Sequence, residues 1–185
     1  MTTALVIIDV QNGILQGMGE SGRQAALDAA LQETVDRLQQ VQQAARKAGA
    51  PVILVQHDGE PKHRLAVNSE GWQIREEIRP LAGEPVVRKT SCDSFFETDL
   101  AERLRERGVT RLVIGGCMTP FCVDTTCRRA VSLGYDVTLL ADGHMTADIG
   151  GLTFKQIIAH HNEVLDDFDA GAHTIQLAAA RDVRF

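Results

Sequence analysis

Arg111-Leu112-Val113-Ile114-Gly115-Gly116-Cys117-Met118-Thr119-Pro120-Phe121-Cys122-Val123 is the stretch whose reading decides the fold. Its apolar run is too short for a helix, breaks at two glycines, and gives way to a helical pattern from Phe121 to Leu133 that stops at Gly134. Strand, tight turn, helix is the repeating unit of parallel α/β sheets. Working outward in both directions, the same alternation recurs. Apolar runs predict strands near residues 3–9, 51–57, 85–88, 111–116, 135–141 and 172–176. Their continuous hydrophobicity fits strands covered on both faces. Between them, Gln24 to Ala48 carries Leu27, Leu31, Val35 and Leu38 at helical spacing, with Gly49 as its C-cap. Thr98 to Arg107 places Leu100 and Leu104 inward before Gly108, and Thr153 to Asp167 predicts the last long helix. Right-handed crossovers then put helices on both faces. The expected fold is one three-layer α/β/α domain over residues 1–185, with a mostly parallel six-stranded sheet of Rossmann-like topology.

Bulk properties exclude several function classes. A chain of 185 residues buries a sufficient core without disulfides or structural metal. With 19 Lys plus Arg against 25 Asp plus Glu, the formal charge is −6. Nucleic-acid binding, which needs a basic stripe to displace counterions, is not expected. No basic segment precedes the first apolar run, so it reads as a strand and not as a signal peptide. No segment nears the roughly 20 apolar residues that cross a bilayer. These features predict a cytoplasmic protein with no membrane partner, its Cys92, Cys117, Cys122 and Cys127 reduced. A cysteine zinc site is not expected either. There is no Cys-x-x-Cys, and Cys122 and Cys127 on one helix would point about 140° apart. Nor does Gly115-Gly116 match a nucleotide-binding glycine pattern.

Cys122 is the candidate nucleophile. At a strand-to-helix turn it lies near unpaired backbone N–H groups and the positive end of the helix macrodipole, which favour thiolate and would hold an oxyanion. Two more polar residues occupy equivalent places: Asp9 ends Ala4-Leu5-Val6-Ile7-Ile8, and Lys89 ends Pro85-Val86-Val87-Arg88. In an open parallel sheet the carboxyl ends of the strands lie along one edge, so the three can converge on one crevice. Each has a plainer reading, as core cysteine, turn cap or surface cation. Their joint occurrence at three strand ends favours a site in which Asp9 takes the thiol proton and Lys89 stabilises the thiolate. A receiver-type signalling domain also begins with an Asp at a strand end. It wants paired acids there, whereas Val10-Gln11 follow Asp9.

These residues resemble the isochorismatase-like cysteine hydrolases, a superfamily that includes nicotinamidase and N-carbamoylsarcosine amidase. The resemblance rests on Asp9-Val10-Gln11-Asn12, on Lys89, and on Gly116-Cys117-Met118-Thr119-Pro120-Phe121-Cys122-Val123, and runs from Ala4 to about Ile175. It implies an Asp9-Lys89-Cys122 triad that hydrolyses a C–N bond through a thioester. It also implies an oxyanion hole formed by the backbone N–H groups of Met118 and Cys122, with a cis bond between Cys117 and Met118. Members that cleave the vinyl ether of isochorismate lack the cysteine, so Cys122 moves the reading toward small amides, lactams and ureides. The His57-Asp58-Gly59 and Gly71-Trp72-Gln73-Ile74 segments look most like relatives of streptothricin hydrolase. Gln11, His57, Trp72 and Phe121 are expected at the substrate pocket, shaped by residues 58–72 and 142–152, although Gln11 and Asn12 also read as braces for the loop after the first strand. Nicotinamidases carry an Asp-x-His that binds metal. Here Gly59 and Glu60 follow Asp58, so no metal and no cofactor is expected. A metal-assisted variant would have to use His57, His63 and Asp58. A scaffold that retains the fold without activity is the alternative from another class. The family commonly forms homodimers or larger homo-oligomers, and the same is expected here.

Overall fold

The computed structural model describes residues 2–19 and 22–185. Strands β1 (Thr2–Ile8), β2 (Val52–His57), β3 (Val86–Lys89), β4 (Val109–Cys117), β5 (Asp136–Met145), β6 (Asp169–Ala170) and β7 (His173–Ala178) form one sheet in the order β3-β2-β1-β4-β5-β7-β6. Every pairing is parallel except β6 with β7. The sheet therefore has seven strands where six were expected. The extra one, Asp169–Ala170, is only two residues long, one of them an aspartate, and leaves no apolar run in the sequence.

Helices α1 (Gln24–Lys47), α2 (Leu100–Glu106), α3 (Asp124–Ser132) and α4 (Phe154–Leu165) complete the layers. The central strand shows how. Leu5 and Ile7 of β1 pack with Leu27, Leu31, Val35 and Leu38 of α1. Val6 and Ile8, pointing the other way by the period of two, pack with Leu100 and Leu104 of α2 and with Ala130 and Val131 of α3. Each fully buried leucine or isoleucine contributes on the order of 2 kcal/mol, which fixes the sheet between its helices. At α4 a capping box closes the N-terminus: the Thr153 side chain accepts from the Gln156 N–H, and Gln156 reaches back to the Thr153 N–H. No helix among the described residues is long and apolar enough to cross a membrane.

Two departures from the expected boundaries concern the site. The helical pattern from Phe121 is not one helix: Thr119–Val123 form a single wide π turn, and α3 starts only at Asp124. Such turns recur where a side chain must be aimed rather than packed. Strand β5 runs on to Met145, because β4 shifts register against it between Ile114 and Gly116.

Candidate active site

The three strand ends meet. β1 and β3 flank β2, and β4 lies on the other side of β1, so their carboxyl ends share one edge of the sheet. Lys89 closes β3, Asp9 follows β1, and Cys122 sits in the π turn after β4. Asp9 has φ 51°, a left-handed conformation tolerated by Asp more than by most residues. Its N–H donates to the Val55 carbonyl at 2.9 Å, and its own carbonyl accepts from the Gln11 N–H at 2.9 Å. The side chain is thus set by backbone pairing on both sides.

Lys89 is the hub. Its Nζ donates to Asp9 Oδ2 at 2.6 Å, to the Ser91 carbonyl at 2.9 Å and to Cys122 Sγ at 3.2 Å. An ammonium has three protons, and all three are used. The side chains of Lys89 and Asp9 are 0% and 1% exposed. Asp9 Oδ1 is buried and has no hydrogen-bond partner among the described residues.

The electrostatics differ from a standing thiolate. Burial pulls the Lys89 ammonium down, but the Asp9 charge, joined by Cys122 when that sulfur is ionised, outweighs it and holds it above the usual lysine range. Burial pushes the Asp9 carboxyl up, against the pull of Lys89, so it takes a proton more readily than an exposed carboxylate. Burial also pushes the Cys122 thiol up, the Asp9 charge adds to that, and Lys89 offsets only part. These effects together favour a neutral thiol at Cys122 over a standing thiolate. Cys117 and Cys127 are pushed up by burial in the core. They are inert packing thiols.

A cavity of about 140 Å³ opens over Cys122, lined by Asp9, Ile14, His57, His63, Arg64, Leu65, Cys92, Met118, Phe121 and Cys122. His57 and Phe121, two of the residues expected at a substrate pocket, line it. Gln11 and Trp72 do not. The Gln11 amide is spent on backbone, donating to the carbonyls of His57 (3.0 Å) and Trp72 (2.7 Å) and accepting from the His57 N–H (3.0 Å). It braces the loop. Trp72 donates its indole N–H to Asp58 Oδ1 at 2.8 Å and lies under the Arg88 guanidinium, 4.4 Å from its ring centre. Of the two segments expected to shape the pocket, 58–72 supplies His63, Arg64 and Leu65, whereas 142–152 supplies none of the lining. The latter begins as the continuation of β5.

The Cys117–Met118 peptide is cis. Met118 and Cys122, whose N–H groups the resemblance assigns to an oxyanion hole, line the same cavity. Beneath this turn lies a brace that sequence reading missed. The Thr119 hydroxyl meets His144 Nδ1 at 2.9 Å, His144 Nε2 meets Asn162 Oδ1 at 2.8 Å, and Asn162 donates to the Ala141 carbonyl at 3.0 Å. The one available signal was a histidine three residues past the predicted strand 135–141.

The residues do not fit a nicotinamidase-like metal. Among the described residues no three His, Cys, Asp or Glu side chains gather as a ligand set. Asp58, the needed third group, is held by Trp72 and by Arg88, whose Nε donates to Oδ1 at 2.6 Å. His63 Nδ1 accepts from the Leu65 N–H at 3.2 Å. Burial lowers both His57 and His63, with Lys89 adding to the effect at His57 and Arg64 at His63, so both rings are neutral near pH 7.

An open, mostly parallel sheet with polar side chains gathered at its carboxyl edge defines an α/β protein with its cavity at the crevice where such sheets bind ligands. The chain belongs to the isochorismatase family, whose isochorismatase-domain model matches residues 3–172, and it is a hydrolase of that family. It is 37% identical over 151 residues to the uncharacterized isochorismatase family protein YddQ of Bacillus subtilis, covering 80% of this chain and 81% of that protein. It is 38% identical over 146 residues to a streptothricin hydrolase of Streptomyces noursei, covering 79% of this chain. The match spans only 50% of that longer protein. Among solved structures, an isochorismatase from Pseudomonas putida KT2440 superposes with a TM-score of 0.85 at 29% identity, over 98% of this chain and 89% of that one.

Proposed function

We propose that this chain is a cysteine-dependent hydrolase of a C–N bond in a small amide, lactam or ureide, working through a thioester with Asp9, Lys89 and Cys122. The observation that carries this reading is the single lysine bonded to both Asp9 and Cys122 at the floor of a pocket, with the second Asp9 oxygen unpartnered. The streptothricin hydrolase name of one relative supports the bond class.

In this mechanism the Cys122 proton moves to Asp9 Oδ1 as sulfur attacks the substrate carbonyl, so the thiolate exists only when it is needed. Lys89 remains charged and steadies the sulfur. The carbonyl oxygen becomes an oxyanion facing the N–H groups of Met118 and Cys122; one such donor is worth on the order of 3 kcal/mol. Collapse breaks the C–N bond, and Asp9 returns its proton to the leaving nitrogen. Water then loses a proton to Asp9, its oxygen attacks the thioester, and the C–S bond breaks to release acid. Asp9 re-protonates the sulfur, which closes the cycle. A small-molecule substrate, a homo-oligomeric state and a reducing cytoplasmic setting belong to the same reading.

The test is a panel of small amides, lactams, ureides and nicotinamide, scored for ammonia or acid release. Cys122→Ala is expected to abolish turnover and leave the fold intact, while Cys92→Ala and Cys127→Ala remain active. Equal loss in all three variants would mean the thiols are structural and would sink the nucleophile assignment.

A further inference from the structure

The pocket holds a cation that the mechanism leaves idle. Arg64 lines the cavity over Cys122 and has no carboxylate within ion-pair distance among the described residues. Three other arginines, Arg105, Arg111 and Arg184, share that lack, but all three are exposed to solvent, whereas Arg64 is half-buried. Burial without a counter-charge disfavours the guanidinium and lowers it from the usual arginine range. In a chain of net charge −6, an unpaired arginine inside the reactive pocket is a cost that binding an anion would offset.

Its geometry suits one kind of ligand. Arg64 Nε donates to the Ile14 carbonyl at 2.9 Å, which anchors the root of the guanidinium on the segment after β1. Nη2 has only the thioether Sδ of Met118 at 3.7 Å, a weak acceptor, and Nη1 makes no hydrogen bond among the described residues. The two outer nitrogens are left as an open fork, the arrangement that pairs with a carboxylate by two parallel hydrogen bonds. The neighbouring Leu65 is 1% exposed, and its carbonyl accepts from the Gly59 N–H at 2.9 Å, so the loop holding the fork is pinned on both sides. The remaining charges do not compensate it. Asp9 is already paired with Lys89, and His57 and His63 are neutral.

We propose that Arg64 is a specificity-determining residue that binds a carboxylate on the substrate, so that the chain prefers small amides, lactams or ureides carrying an acid group over neutral or cationic ones. This rests on Cys122 being the reacting atom, and the experiment separates the two claims. Cys122 is alkylated with iodoacetate and with iodoacetamide, which deliver an anionic or a neutral group to the same sulfur, and the modified residue is located by mass spectrometry. The readout is the iodoacetate-to-iodoacetamide rate ratio. Arg64→Gln is expected to lower it about tenfold, the worth of one charge-assisted contact, and Arg64→Lys to keep part of it. On the unaltered protein, raising salt from about 0.02 to about 0.5 M should lower the ratio several-fold, so the proposal stays testable if Arg64→Gln fails to fold. Turnover of succinamate should likewise exceed that of pentanamide and of 4-aminobutanamide, through KM. Normal labelling of Cys122 with a ratio that neither Arg64→Gln nor salt changes would overturn the role of Arg64 alone. Labelling that bypasses Cys122 would overturn both.

Discussion

Asp9 acts on the sulfur in two opposed ways, and substitution separates them. As a negative charge it raises the Cys122 thiol; in the proposed mechanism it is also the base to which that proton goes. Read from sequence, Asp9 promotes the thiolate, and Asp9→Asn would lower its fraction. With burial and the two charges in view, the sign reverses. Asp9→Asn leaves Lys89 facing the sulfur alone, so alkylation of Cys122 near pH 7 should become faster while turnover falls by at least about 100-fold for want of a proton carrier. Slower alkylation together with lost turnover would return Asp9 to the simpler role. Lys89→Ala removes the cation that lowers the thiol, so the alkylation profile should move to higher pH. It also strands a buried carboxylate, and a denaturant midpoint should report a loss of about 3–5 kcal/mol. An unchanged alkylation profile would place the lysine away from the sulfur.

The turn between β4 and α3 decides whether these residues meet. Gly116 pairs with Ile8 across the sheet at φ 127°, and a Cβ there would stand 2.1 Å from the Ile8 carbonyl oxygen. Gly116→Ala should therefore cost more than about 3 kcal/mol, since backbone in the central pair of strands cannot give way. Gly150→Ala, at φ 63° with nothing within 4 Å of its Cβ, should cost only the left-handed strain of about 1–2 kcal/mol. Equal midpoints for the two variants would contradict the close approach of β1 and β4. The glycine pair was legible in sequence as the end of a strand. The π turn was not, because Phe121-Cys122-Val123 read as the first turn of the following helix and only backbone hydrogen bonding tells them apart. In the loop after β2, the missing Asp-x-His spacing and the capture of Asp58 by Trp72 and Arg88 agree. Activity should survive dialysis against a chelator. Loss on chelation restored by added zinc would show that His57 and His63 recruit a third ligand by moving.

For the whole molecule, hydrophobic runs were enough to place six strands and four helices, since burial on both faces of the sheet writes itself into composition. The convergence of Asp9, Lys89 and Cys122 was legible for the same reason: each interrupts or follows such a run. What composition does not carry is pairing between distant polar side chains. Gln11 on the backbone of His57, Arg64 in the pocket, and the Thr119–His144–Asn162 brace are separated by dozens of residues or lie in loops. The brace has a consequence for global stability. Burial, partly offset by the Asn162 hydrogen bond, lowers His144 from 6.5 to about 4, so the folded state keeps this ring neutral while the unfolded chain protonates it near 6.5. Between those values the unfolded state binds the extra proton, and stability rises with pH. Its contribution is complete above pH 6.5, declines as pH falls through that window, and is gone below about 4. Between pH 7 and pH 5 the expected loss is on the order of 2 kcal/mol, from about 1.4 kcal/mol per unit of displaced titration. Other groups shift too: burial lowers His57 and His63, which act in the same sense, and raises Asp9, which acts in the opposite one. The His144 share is therefore read as a difference. Urea unfolding free energies at the two pH values are compared between the protein and His144→Gln, which hydrogen-bonds but does not titrate. A pH-dependent loss that is smaller in the variant by about that amount supports a neutral, buried His144 holding the Thr119–Val123 turn against α4. Identical losses in the two proteins would show that the ring takes up its proton without unfolding the chain.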